Sequence, residues 1–192
     1  LAMLLQASKA SKASKRARWV QHARTLATTI PTFSGKTLAL PDAEGPVGPI
    51  TVDGLTIDTY KKAYLCPHTR VLRTSTHIGM DAAGTVIKGK VGGSGMSKEE
   101  AYVLARGSGL RLLSTIHNVL DGDMSRVEQV LKLTGLVNAD PDFAAHGFVI
   151  NGCSEVFIEA FGPDLGVGIR ETQGPASLLG AVSCSVELRV RM

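Results

Sequence analysis

The sequence predicts an α+β domain in which a mixed β-sheet carries two helices on one face. Three observations predict it. The closing segment alternates: Val182, Cys184, Val186, Leu188 and Val190 fall on one face, and Ser183, Ser185, Glu187, Arg189 and Arg191 on the other. That is the period of a strand with one face packed and the other meeting solvent or another subunit. Upstream, two apolar stretches read as helices. The resulting order of three strands, helix, strand, helix and strand segregates both helices to one side of the sheet.

Composition bounds the rest. At 192 residues, 44% of them apolar and 20% charged, the chain has room for one core and an appendage and is too apolar for global disorder. No apolar run approaches the roughly 20 residues needed to span a bilayer, so the chain reads as soluble. The net charge of +4 is unevenly placed. Residues 1–41 hold seven Lys/Arg and no acid, whereas residues 42–192 hold fourteen Lys/Arg against seventeen Asp/Glu, a net charge of −3. A mildly acidic body carries no basic nucleic-acid footprint, and RNA binding is not favoured. The division also sets the expected organisation, a basic extension over 1–41 followed by one domain over 42–192.

The extension opens on three Ala-Ser-Lys copies, residues 7–15, followed by Arg16-Ala17-Arg18-Trp19-Val20-Gln21-His22-Ala23-Arg24. Met3 is read as the initiator. An acid-free, Ser- and Arg-rich amphipathic start fits two readings, an organelle transit peptide or a basic arm. The expected location is accordingly mitochondrial or cytoplasmic.

Residues 31–58, punctuated by Pro31, Pro41, Pro46 and Pro49 and by four glycines, are expected to be irregular or to form short strands. Lys61–Cys66 then reads as a strand, Pro67-His68-Thr69 as a turn and Arg70–Ile78 as the hairpin partner. Asp81-Ala82-Ala83-Gly84 is a second turn and Thr85–Val91 a third short strand. Ser97 with Glu100 forms a capping box, in which the hydroxyl and the carboxylate each satisfy a free N–H. From there Leu104, Ala105, Ser108, Leu112, Ile116, Val119 and Leu120 line one helix face, and Asp121-Gly122-Asp123 ends it. Val127–Asn138 is β-branched and alternating, a strand. The second helix runs from about Phe148 to Phe161, where Gly162-Pro163 stops it.

No metal or cofactor is expected. Cys66, Cys153 and Cys184 are odd in number and form no C-x-x-C, and the five histidines show no metal-ligand spacing, so the cysteines read as reduced thiols. Gly92-Gly93-Ser94-Gly95 lies between strand and helix, but no G-K-[ST] follows, so it reads as a connector. The run from Gly162 to Gly168 reads as a loop that delivers Arg170. No G-x-S-x-G elbow and no His/Lys arrangement of a ribonuclease is present.

This order, with several local strings, resembles the Rid/YjgF family over roughly Tyr64 to Val190. Asp123-Met124-Ser125-Arg126-Val127 resembles the family's entry to the strand after the first helix. Val130 to Asn138 is similar to that strand, Asp142-Phe143 and Val149 to Glu155 to the second helix, and Arg170 with the closing strand to the substrate-binding end. The resemblance implies a chorismate-mutase-like fold, a homotrimer around a central barrel, and ligand clefts between subunits. It further implies hydrolysis of reactive 2-imino or enamino acids to 2-keto acids and ammonia. Arg170 would hold the carboxylate of a small metabolite, since a guanidinium fork matches a carboxylate and stays charged. Asn151 aligns with a cleft asparagine, and Ser75 with a serine of the second strand. Tyr64 aligns with a cleft tyrosine, although its hairpin is two residues short, and core packing explains it equally well.

Departures weaken the activity rather than the fold. Counting from Arg170, the family's water-orienting glutamate falls on Ser185, and a hydroxyl is a poor base at neutral pH. Glu187 lies one repeat further on the same face, about 6.6 Å along the strand, and reaches the cleft only in a shifted pose. His77 stands where the family usually has glutamine, and Leu179 where it often has proline. Three functions therefore compete: an imine deaminase using Arg170 and Glu187, a non-catalytic carboxylate-binding protein, and an endoribonuclease or translation inhibitor.

Overall fold

The computed structural model describes residues 28–41, 50–52, 55–57, 60–81 and 83–192. The Ala-Ser-Lys repeat, its basic continuation and Pro46 and Pro49 lie outside them. The elements are β1 (Thr28–Pro31), β2 (Thr37–Leu40), β3 (Ile50–Val52), β4 (Leu55–Ile57), β5 (Ala63–Cys66), β6 (Val71–Thr74), β7 (His77–Ile78), α1 (Lys98–Val119), β8 (Val127–Val137), α2 (His146–Gly166), β9 (Ile169–Gln173) and β10 (Val182–Val190). The main sheet runs β5-β6-β10-β8-β9, with β7 also on β10. The β8–β9 pair is parallel and the others are antiparallel, a mixed sheet with both helices packed on it, as the sequence predicts.

Strand β10 organises the core. Its even-numbered residues from Val182 to Val190 are buried, in one core cluster with Leu112, Leu113 and Ile116 of α1 and Ile150 and Phe157 of α2. Burying each such side chain contributes about 1.5–3 kcal/mol, which fixes the register because a one-residue slip would turn the whole set outward. The capping box of α1 forms as expected: Glu100 N–H donates to Ser97 Oγ (3.2 Å) and Ser97 N–H to Glu100 Oε2 (2.9 Å). Gly152 lets α2 approach α1, because a Cβ there would run into the Tyr102 carbonyl.

Several elements differ from expectation. The stretch expected as the hairpin partner of β5, Arg70–Ile78, is two strands, β6 and β7, broken at residues 75–76; β6 pairs with β5 and β7 with β10. At the break Thr74 Oγ1 accepts from Val186 N–H (2.9 Å) and donates to Val186 O (3.3 Å), so a side chain replaces the interrupted ladder. Thr85–Val91 is not a strand. Only the isolated bridges Met80–Val86, Val91–Met96 and Val91–Ala139 occur, because Gly89 (φ 123°) turns the backbone out of the extended region. Helix α2 continues past Phe161, but Gly162 (φ 81°, ψ 170°) breaks its geometry where Gly162-Pro163 is expected to stop it. The run expected as a loop, Gly162 to Gly168, is mostly the end of α2: beyond the break at Gly162 the helix runs to Gly166, and only Val167 and Gly168 join it to the edge strand β9 that carries Arg170.

The β1–β2 hairpin belongs to the same body. Ile30 and Leu40 join the core, Ser114 Oγ donates to the Pro41 carbonyl (2.5 Å), and Phe33 N–H donates to Glu159 O (3.0 Å).

Candidate functional site

Strand β9 sets the site. Arg170 stands opposite Leu133 of β8, and Leu133 is a buried core residue, so the Arg170 side chain leaves on the helix side of the sheet. There its Nη1 donates to Asn151 Oδ1 of α2 (2.5 Å), and its Nη2 lies beside Gly147 in the first turn of that helix. Only one of the five guanidinium N–H groups is used by this bond, which leaves the fork available to a carboxylate.

A pocket of about 450 Å³ opens beside this pair, between α2, β8 and the start of β9. Val130, Leu133 and Ile158 give it an apolar floor, and Gly166, Val167 and Gly168 wall one side. Helix α2 lines it with Asn151, Ser154, Glu155 and Ile158, positions i, i+3, i+4 and i+7 of a single face. Apolar walls with a few convergent polar groups are the composition of a small-molecule site.

Glu155 is held by the neighbouring helix. The Tyr102 hydroxyl donates to Glu155 Oε2, and this bond to a carboxylate raises the Tyr102 pKa above its ordinary value. Arg106, one turn along α1, is taken by Glu159 through both terminal nitrogens (3.0 and 2.8 Å), and this pairing raises the arginine pKa further. Tyr102 is thus a neutral donor to Glu155, and among the described residues no ion pair reaches Glu155.

The other residues singled out in the sequence lie elsewhere. Glu187 stands opposite Arg73 on one side and Lys132 on the other, and directly opposite residues share a face. Tyr64 stands opposite Arg73, so Tyr64, Arg73, Glu187 and Lys132 occupy the open face, away from the helices. Ser185, half-buried opposite Thr134, shares that face. Charges alternate across it: Arg73 Nε sits 3.1 Å from Glu187 Oε2, and Lys132 pairs with Glu171. The hydrogen bond that Lys132 donates to Glu171 raises the Lys132 pKa and lowers that of Glu171. Tyr64 is 52% exposed with Lys61 Nζ 4.9 Å above its ring, so it packs in no core.

Ser75 lies at the β6–β7 break, where its carbonyl accepts from His77 Nδ1 (3.0 Å). His77 Nε2 then accepts from Thr115 Oγ1 (2.7 Å), and burial lowers the pKa of this neutral imidazole. One protomer therefore brings together Arg170 and Asn151, and separates them from Tyr64, Ser185 and Glu187. Sequence reasoning gave Ser154 and Glu155 no role. Their signal is their spacing, three and four residues beyond Asn151 on a helix.

Among the described residues no group of three or more His, Cys, Asp or Glu is placed to hold a metal ion, and no helix is long and apolar enough to cross a membrane.

No family model matches the chain. Protein TCP17 of Trypanosoma cruzi is 29% identical over 130 residues, 68% of this chain and 79% of TCP17. Among solved structures, Atu1372 of Agrobacterium tumefaciens, described as of unknown function, is 24% identical with a TM-score of 0.65, covering 72% of this chain and 87% of its own. A Shewanella oneidensis protein proposed to be an endoribonuclease is 19% identical with a TM-score of 0.65, over 80% of this chain and 93% of its own.

Proposed function

We propose that this chain, whose structural neighbours are Rid/YjgF/L-PSP proteins and whose fold is theirs, is a weak hydrolase of 2-imino and enamino acids. The observation that carries the reading is the Arg170–Asn151 pair at the mouth of an apolar pocket. Arg170 holds the substrate carboxylate, Asn151 fixes the guanidinium plane, and Val130, Leu133 and Ile158 receive the side chain. Water adds to C2 of the iminium, one of its protons passes to nitrogen, and the C–N bond breaks as the departing ammonia takes up the remaining hydroxyl proton. The products are a 2-keto acid and ammonium.

The open face of the sheet, with its alternating charges, is the surface that a homotrimer would bury, and a neighbour's Ser185, Glu187, Tyr64 and Ser75 would then complete the cleft. Because Ser185 offers no carboxylate, Glu187 gives what help the water receives, and turnover is slow. The chain is organised as a basic extension and one domain. Its mildly acidic body disfavours an RNA substrate, and its basic segment fits delivery to mitochondria or an arm in the cytoplasm.

One observation favours a second reading. Glu187 is already paired with Arg73, so the site serves equally well as a non-catalytic receptor for a small carboxylate. An amino-acid oxidase that generates imines in situ, with semicarbazide to trap them, separates the two. The enzyme lowers the yield of trapped imine; the receptor leaves it unchanged while still binding 2-ketobutyrate.

A further inference from the structure

We infer that Glu155 recognises the cationic nitrogen of the ligand, so that the pocket selects 2-amino and 2-iminio acids over carboxylates that lack a charged nitrogen. The inference rests on the reading of Arg170 as carboxylate holder and adds the opposite end of the ligand. Asn151, which ties Arg170 to α2, and Glu155 are four residues apart on one helix face, where Cβ atoms lie about 5–6 Å from one another. A carboxylate docked on the Arg170 fork thus has its α-nitrogen directed along α2 toward Glu155, while its side chain meets the apolar floor. The polarity is fixed: a ligand placed in reverse would set its carboxylate against Glu155 and its cation against Arg170.

Glu155 is equipped for this. Its Oε2 accepts from the neutral Tyr102 hydroxyl, which orients the carboxylate without cancelling its charge. The nearest cation on α1, Arg106, is fully engaged by Glu159 through a bidentate pair. The residue is exposed in the protomer, so its charge is not buried at a cost that a structural partner would have to offset.

Calorimetry with the full chain tests this using 2-aminobutyrate and 2-ketobutyrate, which share carbon skeleton and carboxylate and differ at the nitrogen. Wild type is expected to bind the amino acid roughly 10- to 100-fold more tightly, the worth of a charged hydrogen bond. Glu155→Gln, isosteric and exposed, should bring the two ligands within about threefold while keeping keto-acid affinity, with circular dichroism verifying the fold. Equal binding of both ligands in wild type, or a preference that survives Glu155→Gln, overturns the role of Glu155 and leaves Arg170 as carboxylate holder. Keto-acid binding lost in Arg170→Ala confirms that the holder is intact in that case. If neither ligand binds wild type, both readings fall.

Discussion

Arg170 and Glu187 leave opposite faces of one sheet. Arg170 is opposite Leu133 and Glu187 is opposite Lys132, and adjacent residues of a strand point to opposite sides. A single protomer cannot bring both groups to one ligand. A cleft that uses both takes them from two copies of the chain.

A homotrimer is therefore predicted. The open face presents Arg73, Glu187, Lys132 and Glu171 as alternating charges across four strands, a pattern that disfavours stacking of identical faces and fits a staggered rotational contact. Light scattering at micromolar concentration should give three times the protomer mass, 20.2 kDa each. A monomer would remove the shared cleft.

Arg170→Ala should abolish measurable 2-ketobutyrate binding, a loss of about 10- to 100-fold or more. Arg170→Lys should restore little, because an ammonium keeps the charge but loses the fork that bonds Asn151 and a carboxylate together. Calorimetry reads both variants. Equal affinity in wild type and the two variants would remove Arg170 from the site.

Ser185→Glu should raise imine turnover by at least about tenfold, toward the 10²–10⁴-fold that general base help supplies. Ser185 is half-buried opposite Thr134, and the new carboxylate would lie two residues from Glu187 on the same face. Glu187→Gln should lower the residual wild-type rate. Turnover indifferent to both changes would mark the cleft as a binding site without catalysis.

His77 links stability to pH. Burial, with Arg111 and Lys62 nearby, lowers its pKa below the ordinary histidine value of about 6.5. The unfolded chain therefore takes up the proton first, and folded stability falls as pH drops from about 6.5 toward the lowered folded value. Above 6.5 this contribution is flat. His77→Gln keeps a donor for the Ser75 carbonyl and an acceptor for Thr115, and should flatten that acid limb in denaturant titrations at pH 5 to 7. An unchanged slope would assign the acid sensitivity elsewhere.

The strongest periodicities were legible and the weaker ones were not. β10 and α1 declare themselves because each buries one continuous apolar face, and the Ser97–Glu100 box marks where α1 begins. β9 escaped because Ile-Arg-Glu-Thr-Gln has no apolar alternation. As an edge strand with Ile169 72% exposed, it is held by backbone pairing to β8 rather than by burial. Residues 85–91 are the converse case: Val86, Ile87 and Val91 carry the composition of a strand, but Gly89 bends the chain away from the sheet. In the site, Arg170 and Asn151 were found through family likeness. Glu155 is not legible in the sequence, because its place beside Tyr102 depends on the meeting of α2 and α1 at Gly152.

The most direct measurement compares semicarbazide-trapped imine yields for wild type and Arg170→Ala, with imines generated in place by an amino-acid oxidase. The expected result is a slow but measurable reduction of trapped imine by wild type and none by Arg170→Ala at equal folded concentration. Trapped imine reduced to the same extent by both proteins would contradict the assignment of Arg170 as the residue that holds the substrate.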